Sequence, residues 1–350
     1  MPNDTKPCCC GSPPRPKQIT GILSAADKFG AVMCRISNRF RMRYRIDPGL
    51  YALGNPGDSD PVMISANYRL SFNHLRSALA GRKAWILVLD TKGINVWCAA
   101  GKGTFCTNEI VKQLSACNLT SIISHRTLIL PQLSASGVSA SKLQKACGGF
   151  SVKFGPVRAS DIPAYLDNNC TASPAMRRVR FSIVDRAKLV PMETIPALGK
   201  VGLFLLVSAV LFGMTRTGIM YRQALSGVVP IATAGLTALF TGTILPPLFL
   251  PFIPGRAFSL KGFVTGLTGA IAIVFLLPMC RSTPLLTTFN LVSVPAFSSY
   301  LAFLFTGSTT YTSPSGVKAE LKIAWPLYLA SAGISAALLI MVIIHFWGIV

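Results

Sequence analysis

Cysteine and histidine give this chain its widest chemical range, and Cys98 stands apart from the other nine cysteines by context. It lies in the string Asn95-Val-Trp-Cys-Ala-Ala-Gly-Lys102, beside Trp97 and near Asn95, and runs into Ala99, Ala100 and Gly101, small enough for a large planar ligand to approach. A thiol at a helix N-terminus is favoured as thiolate, because the dipole and free N–H groups stabilise the anion. Cys98 is therefore a candidate nucleophile or metal ligand, with a buried structural thiol as the bland alternative. A protease-like pair would need His74 or His125, and nothing in the sequence places either nearby. No Cys-x-x-Cys pair occurs, which excludes the usual ferredoxin and zinc-ribbon ligand sets, so electrons for any redox step must come from another protein. Gly101-Lys102-Gly103-Thr104 imitates a phosphate loop, but Val96 stands where Walker A spacing needs its first glycine. The Gly-x-Gly also comes too long after Asp90 for a dinucleotide fingerprint. Cys8-Cys9-Cys10 could bind a soft metal, although contiguous residues close a tetrahedral site poorly; the other reading is a reduced, unstructured tail.

The elements that must position Cys98 alternate between strands and helices over residues 21–195. Apolar β-rich runs occur at Val62–Ser65, Trp85–Asp90, Ser121–Leu130, Phe150–Phe154 and Val179–Val184, and helical patterns at Tyr68–Leu79, Thr107–Cys117, Ser139–Ala146 and Ser160–Asp167. Trp-Ile-Leu-Val-Leu-Asp alternates too little for a solvated face, so it suits a sheet covered on both sides. This predicts an α/β Rossmann-like domain, in which ligands bind outside the carboxyl ends of the strands. The segment leaving Trp85–Asp90, which holds Cys98, is the first place to look. Residues 1–20, rich in Cys and Pro and without periodicity, read as a flexible tail.

Residues 196–350 predict a different solvent. Residues 1–200 carry 27 of the 34 Lys/Arg and 11 of the 12 acids, a net +16, whereas residues 201–350 carry 7 and 1, a net +6. Half of the chain (51%) is hydrophobic and only 13% charged, which excludes a disordered chain, a disulfide-dense secreted module and a coiled coil. Charge-free runs predict five transmembrane helices at about 197–214, 227–250, 261–280, 286–306 and 325–348, with Pro246, Pro247, Pro251 and Pro254 at the second helix's end. Lys/Arg counts in the flanks put the N-terminal domain in the cytoplasm and the protein in the cell's inner membrane. Of the ionisable residues, only His345 is expected within a span, and Cys280 is the one thiol of this half. That predicts a membrane platform rather than a transport pathway. The basic balance lacks an aromatic-basic sheet motif or a helix-turn-helix, so no nucleic-acid partner is expected.

Asn95-Val-Trp-Cys-Ala-Ala-Gly-Lys102 resembles the cap-helix motif of the HgcA family, the mercury-methylating membrane corrinoid proteins, whose layout is also five helices after an α/β domain. Gly49–Gly54, Ser65–Phe72, Ser124–Leu133, Gly155–Ser160 and Thr310–Gly316 agree, so the likeness covers about residues 45–350. The α/β domain is also similar to that of the corrinoid iron–sulfur protein, from which the cap cysteine distinguishes it. The chain departs from the family in Gly103-Thr-Phe-Cys-Thr107, where a glycine is usual at Cys106, and in Asn108, a commonly acidic position. On a continuous helix Cys106 would point about 80° from Cys98, which argues against a second cobalt ligand; it reads as a replaced glycine rather than a thiol that hands Hg(II) to the cofactor.

The resemblance implies a corrinoid-dependent methyltransferase that moves a methyl group from cobalt to Hg(II). The cofactor would be cobalamin or a related corrinoid, bound base-off with Cys98 as lower axial cobalt ligand and sole protein metal ligand. A thiolate is a strong, soft donor, suited to cobalt left oxidised after carbanion-like transfer. Asn95, Val96, Trp97, Ala99, Ala100 and Gly101 would shape the cap. Asn67, Tyr68, Ser71, Phe72, Ser124, Leu130, Gln132, Gly155 and Pro156 would contact the corrin ring and its tail, although periodicity alone would bury Phe72 and Leu130. The implied partners are an HgcB-type ferredoxin-like iron–sulfur protein, a folate-linked methyl donor system and membrane lipid. The alternatives are a membrane-bound methyl carrier for another acceptor and a non-enzymatic cobalamin- or metal-binding module.

Overall fold

The computed structural model describes residues 15–215, 218–309 and 311–348. The three-cysteine run of the tail and Thr310 of the Thr310–Gly316 segment lie outside them. Contacts divide the chain into two compact units, the first reaching to Cys34 and then covering Asn38–Val179, the second taking Arg35–Ser37 and the chain from Arg180 onward.

The first unit contains β1 (Lys17–Ile19), α1 (Ala25–Ile36), α2 (Asn38–Arg43), β2 (Gly49–Leu53), β3 (Val62–Ala66), α3 (Arg69–Ala78), β4 (Ala84–Leu89), α4 (Val96–Gly101), α5 (Thr107–Ala116), β5 (Thr127–Leu130), α6 (Ala140–Ala146), β6 (Ser151–Phe154) and α7 (Ile162–Asp167). They build one six-stranded sheet in the order β1-β2-β4-β3-β5-β6. β4, β3, β5 and β6 are mutually parallel, while β2 runs antiparallel to β4, with Tyr51 opposite Ile86.

Every residue of β3 and β4 is buried, which explains their missing polar alternation. The period of two still sorts them by face. Val62, Ile64, Leu87 and Leu89 join the core under α4, α5 and α6, and Met63, Ile86 and Val88 join the core under α3 and α7. The chain therefore winds over one face between β3 and β4 and over the other between β4 and β5. The winding reverses between β3 and β5, where a doubly wound sheet opens its ligand crevice.

Several expected elements differ. Of Ser121–Leu130 only Thr127–Leu130 is a strand, because left-handed Asn118 (φ 46°) starts a 3₁₀ turn at Leu119–Ser121. Val179–Val184 forms no strand: Ser182 and Asp185 exchange bonds in a capping box that opens a helix at Ile183. The part of the tail at Lys17–Ile19 is instead an edge strand paired with β2.

The second unit is helical: α8 (Ile183–Ala187), α9 (Val190–Gly213), α10 (Tyr221–Leu239), a π-helical turn at Phe240–Ile244, α11 (Leu245–Leu248), α12 (Phe258–Leu276), α13 (Pro278–Ser282), α14 (Pro284–Leu304) and α15 (Pro314–Phe346). Among the described residues five helical segments are long and apolar enough to cross a membrane, running from Ile183–Gly213 to Ser315–Phe346. The unit begins ahead of residue 196 because its first helix starts within the polar flank, which the charge-free run omits. Small residues let α12 and α14 pack closely: a Cβ on Gly266 would stand 2.7 Å from the Pro295 Cα, and the Ser298 hydroxyl donates to the Gly262 carbonyl at 2.7 Å. Lys261, the first residue of the predicted 261–280 span, is buried in the first turn of α12 and donates to the carbonyls of Leu250 and Ile253. The Arg186 guanidinium donates to the Pro247 and Leu248 carbonyls at 3.1 and 2.8 Å. Arg186 thus satisfies orphan carbonyls at the end of α11, and Lys261 those of the turn that follows it.

Candidate functional site

The carboxyl ends of β3, β4, β5 and β6 bring four segments to one rim of the sheet: Asn67–Tyr68, the loop from Asp90 to Asn95 with α4, Pro131–Gln132, and Gly155–Pro156. α4 packs against both the end of β3 and the turn at Gln132–Ser134 that follows β5. The helix that carries Cys98 thus lies at the winding reversal.

Asn67 holds the loop that leads to α4. Its Oδ1 accepts from Gly93 N at 2.8 Å, Thr91 Oγ1 at 2.9 Å and Thr91 N at 3.2 Å, and its Nδ2 donates to Asp90 Oδ1 at 3.2 Å. The loop then turns through two left-handed residues, Lys92 (φ 58°) and Gly93 (φ 76°). Asp90 anchors it as an anion, because the hydrogen bond from the Lys92 ammonium holds its carboxyl below the usual range against the opposing effect of burial. Glu109 Oε1 accepts from Asp90 N at 3.1 Å, which ties α5 to the same loop.

Asn95 caps α4, its Oδ1 accepting from the Cys98 N–H at 3.0 Å. Ala99 and Ala100 are buried, and Val96 packs on the same core. Trp97 and Cys98 are half-buried and Gly101 is exposed, so these three occupy the uncovered face. A Cβ on Gly101 would meet nothing within 4 Å, whereas one on Gly137 would lie 3.0 Å from the Ala100 Cα. The inner side of α4 is therefore fixed by close packing, and the side bearing Cys98 is open. The dipole anticipated at Cys98 is small, because α4 has only six residues and the Cys98 amide is spent on the cap.

The other sequence-predicted residues separate into three groups. Gln132, Gly155 and Pro156 stand at the rim, and Ser71 is half-buried in the first turn of α3. Gln132 Oε1 is buried without a hydrogen-bond partner, an atom that a ligand amide N–H would satisfy. Phe72 and Leu130 belong to the core beneath, Phe72 packing on the Tyr51 ring at 5.1 Å. Ser124 is placed elsewhere: it precedes β5 at the opposite end of the sheet, its amide and hydroxyl bonded to the Asp58 carbonyl. Tyr68 is buried with its phenol engaged by the Cys34 thiol under Arg41, and burial above all pushes its ionisation upward. Asn67 is 2% exposed and committed to the loop, so it positions rather than contacts.

Cys106 departs from the continuous-helix geometry. α4 stops at Gly101, the amides of Thr104 and Phe105 fold back onto the Ala99 carbonyl, and Cys106 becomes the N-cap residue of α5. Thr91, Gly93, Glu109 and Gly137 were not singled out from sequence. Gly93 and Gly137 look like ordinary loop glycines there, and only Asp90-Thr91 at a strand end carried a signal. Among the described residues no three His, Cys, Asp or Glu side chains form a metal-binding group. A metal held through Cys98 would have to arrive inside a cofactor that supplies its other ligands.

Residues 32–166 match the family model described as CO dehydrogenase/acetyl-CoA synthase delta subunit. Related curated proteins are gamma subunits of the acetyl-CoA decarbonylase/synthase complex. That of Archaeoglobus fulgidus is 32% identical over 149 residues, covering 39% of this chain and 30% of the relative. Those of Methanopyrus kandleri and Methanosarcina acetivorans are 30% and 28% identical, over 35% of this chain and 26% and 27% of their own lengths. The chain thus spans less than a third of these relatives. The family match takes in β2 to β6, the winding reversal and Cys98, and it ends before the first membrane-span candidate at Ile183.

Proposed function

We propose that the protein is a membrane-bound corrinoid-dependent methyltransferase whose acceptor is Hg(II), with Cys98 as the lower axial ligand of cobalt. The observation that carries the corrinoid reading is the place of Cys98: on the uncovered face of a short helix at the winding reversal, within a segment similar to acetyl-CoA decarbonylase/synthase subunits. A corrinoid, when bound, supplies a cobalt centre that carries and releases a methyl group.

The chain's own residues would do the following. Asn95 and Asn67 hold the backbone around Cys98, so that the thiol meets a planar group without reorganising. Trp97 and Gly101 share its face, one giving apolar cover and the other leaving room. Gln132 Oε1 accepts an amide N–H from the cofactor's periphery. Gly155 and Pro156 form the wall after β6. As a thiolate, Cys98 would offer a bound cobalt centre a soft, charge-donating sulfur, the donor type suited to methyl transfer to an electrophile such as Hg(II).

The acceptor and the remaining partners rest on the sequence resemblance. They are an HgcB-type ferredoxin-like protein for electrons, which this chain's cysteine pattern requires, and a folate-linked methyl donor. The five apolar helices support a multi-pass place in the cytoplasmic membrane, and the flanking Lys/Arg counts support a cytoplasmic α/β unit. Similarity to acetyl-CoA decarbonylase/synthase subunits favours a second reading, a methyl carrier for a different acceptor. The discriminating experiment measures methylmercury formation with the ferredoxin partner for the parent, Cys98→Ala and Cys117→Ala, a buried core thiol. Loss with Cys98→Ala alone supports the proposal. Equal loss in both overturns the role of Cys98, and a corrinoid-loaded parent that forms no methylmercury favours the carrier.

A further inference from the structure

α1 is amphipathic in the wrong direction for a helix of a water-soluble domain. Its inward face carries Asp27, Gly30 and Cys34, all buried. Gly30 is required there, because a Cβ would collide with the Tyr44 ring. Asp27 is held by Arg76 at 2.6 Å and by Arg69 at 3.1 Å, which fixes the rotation of the helix. The outward face carries Phe29 and Val32, one turn apart, at 64% and 52% exposure, and Ile22 just before the helix is 77% exposed. α2 repeats the arrangement over one turn: Met42 is exposed between exposed Arg39 and Arg43. Residues 28–46 contain six Lys/Arg and no acid.

We propose that α1 and α2 form a foot that lies on an anionic lipid surface, with Ile22, Phe29, Val32 and Met42 entering the headgroup layer and Lys28, Arg39 and Arg43 binding lipid phosphates. Apolar residues ringed by cations with no acid among them match the interfacial-helix pattern, in which apolar burial and charge attraction add. The proposal rests on the membrane reading above and is independent of the corrinoid. A chain with five spanning helices keeps its other unit near the bilayer, so even a weak lipid affinity is occupied.

The test uses the full chain in nanodiscs of phosphatidylcholine, with or without phosphatidylglycerol. Trypsin cleavage after Arg39 and Arg43 is timed against cleavage after Lys142 and Lys145 of α6. The foot predicts cleavage slowed at least about fivefold in the anionic discs, the effect of roughly one cation's attraction, with the α6 reference unchanged. Phe29→Ser with Val32→Ser, both at exposed positions, should restore most of the lost rate without lowering the melting temperature. Equal rates in the two lipids overturn the proposal. So does slowing that the double variant leaves intact, or slowing that requires an added acidic ferredoxin, which would make the surface a protein-docking site. A chain that does not enter nanodiscs contradicts the membrane reading instead.

Discussion

Cys98 is held in place by neighbours that bond the backbone around it. Asn95→Ala removes the cap of α4 and should cost about 1 kcal/mol, while the Cys98 thiol becomes more rapidly alkylated as the helix frays; an unchanged alkylation rate would show that the cap does not hold the thiol. Gln132→Met should behave in the opposite way. Among the described residues no donor uses its buried Oε1, so the apo-chain should keep its melting temperature while corrinoid retention, read by absorbance after gel filtration, falls. A lowered apo-chain melting temperature would show the amide to be structural. At this scale the sequence made Cys98 legible, because a thiol among Trp, Ala and Gly after a strand is unusual. It did not separate Asn67 from Gln132, since both are amides at strand ends. Only the three-dimensional loop shows one with its acceptor saturated and the other with an acceptor unused.

At the scale of elements, the α/β unit is held at its edge by one ionic cluster. Burial alone would raise the Asp27 pKa, but hydrogen bonds from Ser24 and Arg69 and the Arg76 charge outweigh it and hold the carboxyl well below the ordinary range. A carboxyl depressed in the folded state contributes stability that is present above the unfolded pKa of about 4 and is lost as pH falls below it. Asp27→Asn should therefore cost about 3–5 kcal/mol at neutral pH, because it leaves Arg76 buried without its counter-charge. The melting-temperature gap between variant and parent should narrow as pH drops below 4, and a gap independent of pH would refute the assignment. In the helical unit, Gly266→Val should destabilise the detergent-solubilised chain by roughly 1–3 kcal/mol, since its side chain would strike the Pro295 backbone. Periodicity revealed β3, β4, α3 and α5, which bury regular faces. It missed α1, whose apolar face points outward and whose inward face is polar, and β2, whose five residues are too few to show a pattern.

For the whole molecule, charge is the organising variable. Residues 1–179 hold 23 Lys/Arg and 9 acids, a net +14 that should steer the proposed acidic ferredoxin toward the α/β unit. The bimolecular rate of cobalt reduction by the ferredoxin should then fall as ionic strength rises, and a flat salt profile in stopped flow would remove steering from the account. The two-solvent division was legible from charge counts alone. Its boundary was not, because a long apolar helix that begins in polar residues has no mark in a hydropathy sum. The proposed function rests on Cys98 as the metal ligand of a corrinoid, and cobalt K-edge absorption of the corrinoid-loaded full chain tests it most directly. The account predicts a sulfur neighbour of cobalt in the parent that disappears in Cys98→Ala and persists in Cys117→Ala; a parent with no sulfur neighbour, or a sulfur neighbour that survives Cys98→Ala, would contradict it.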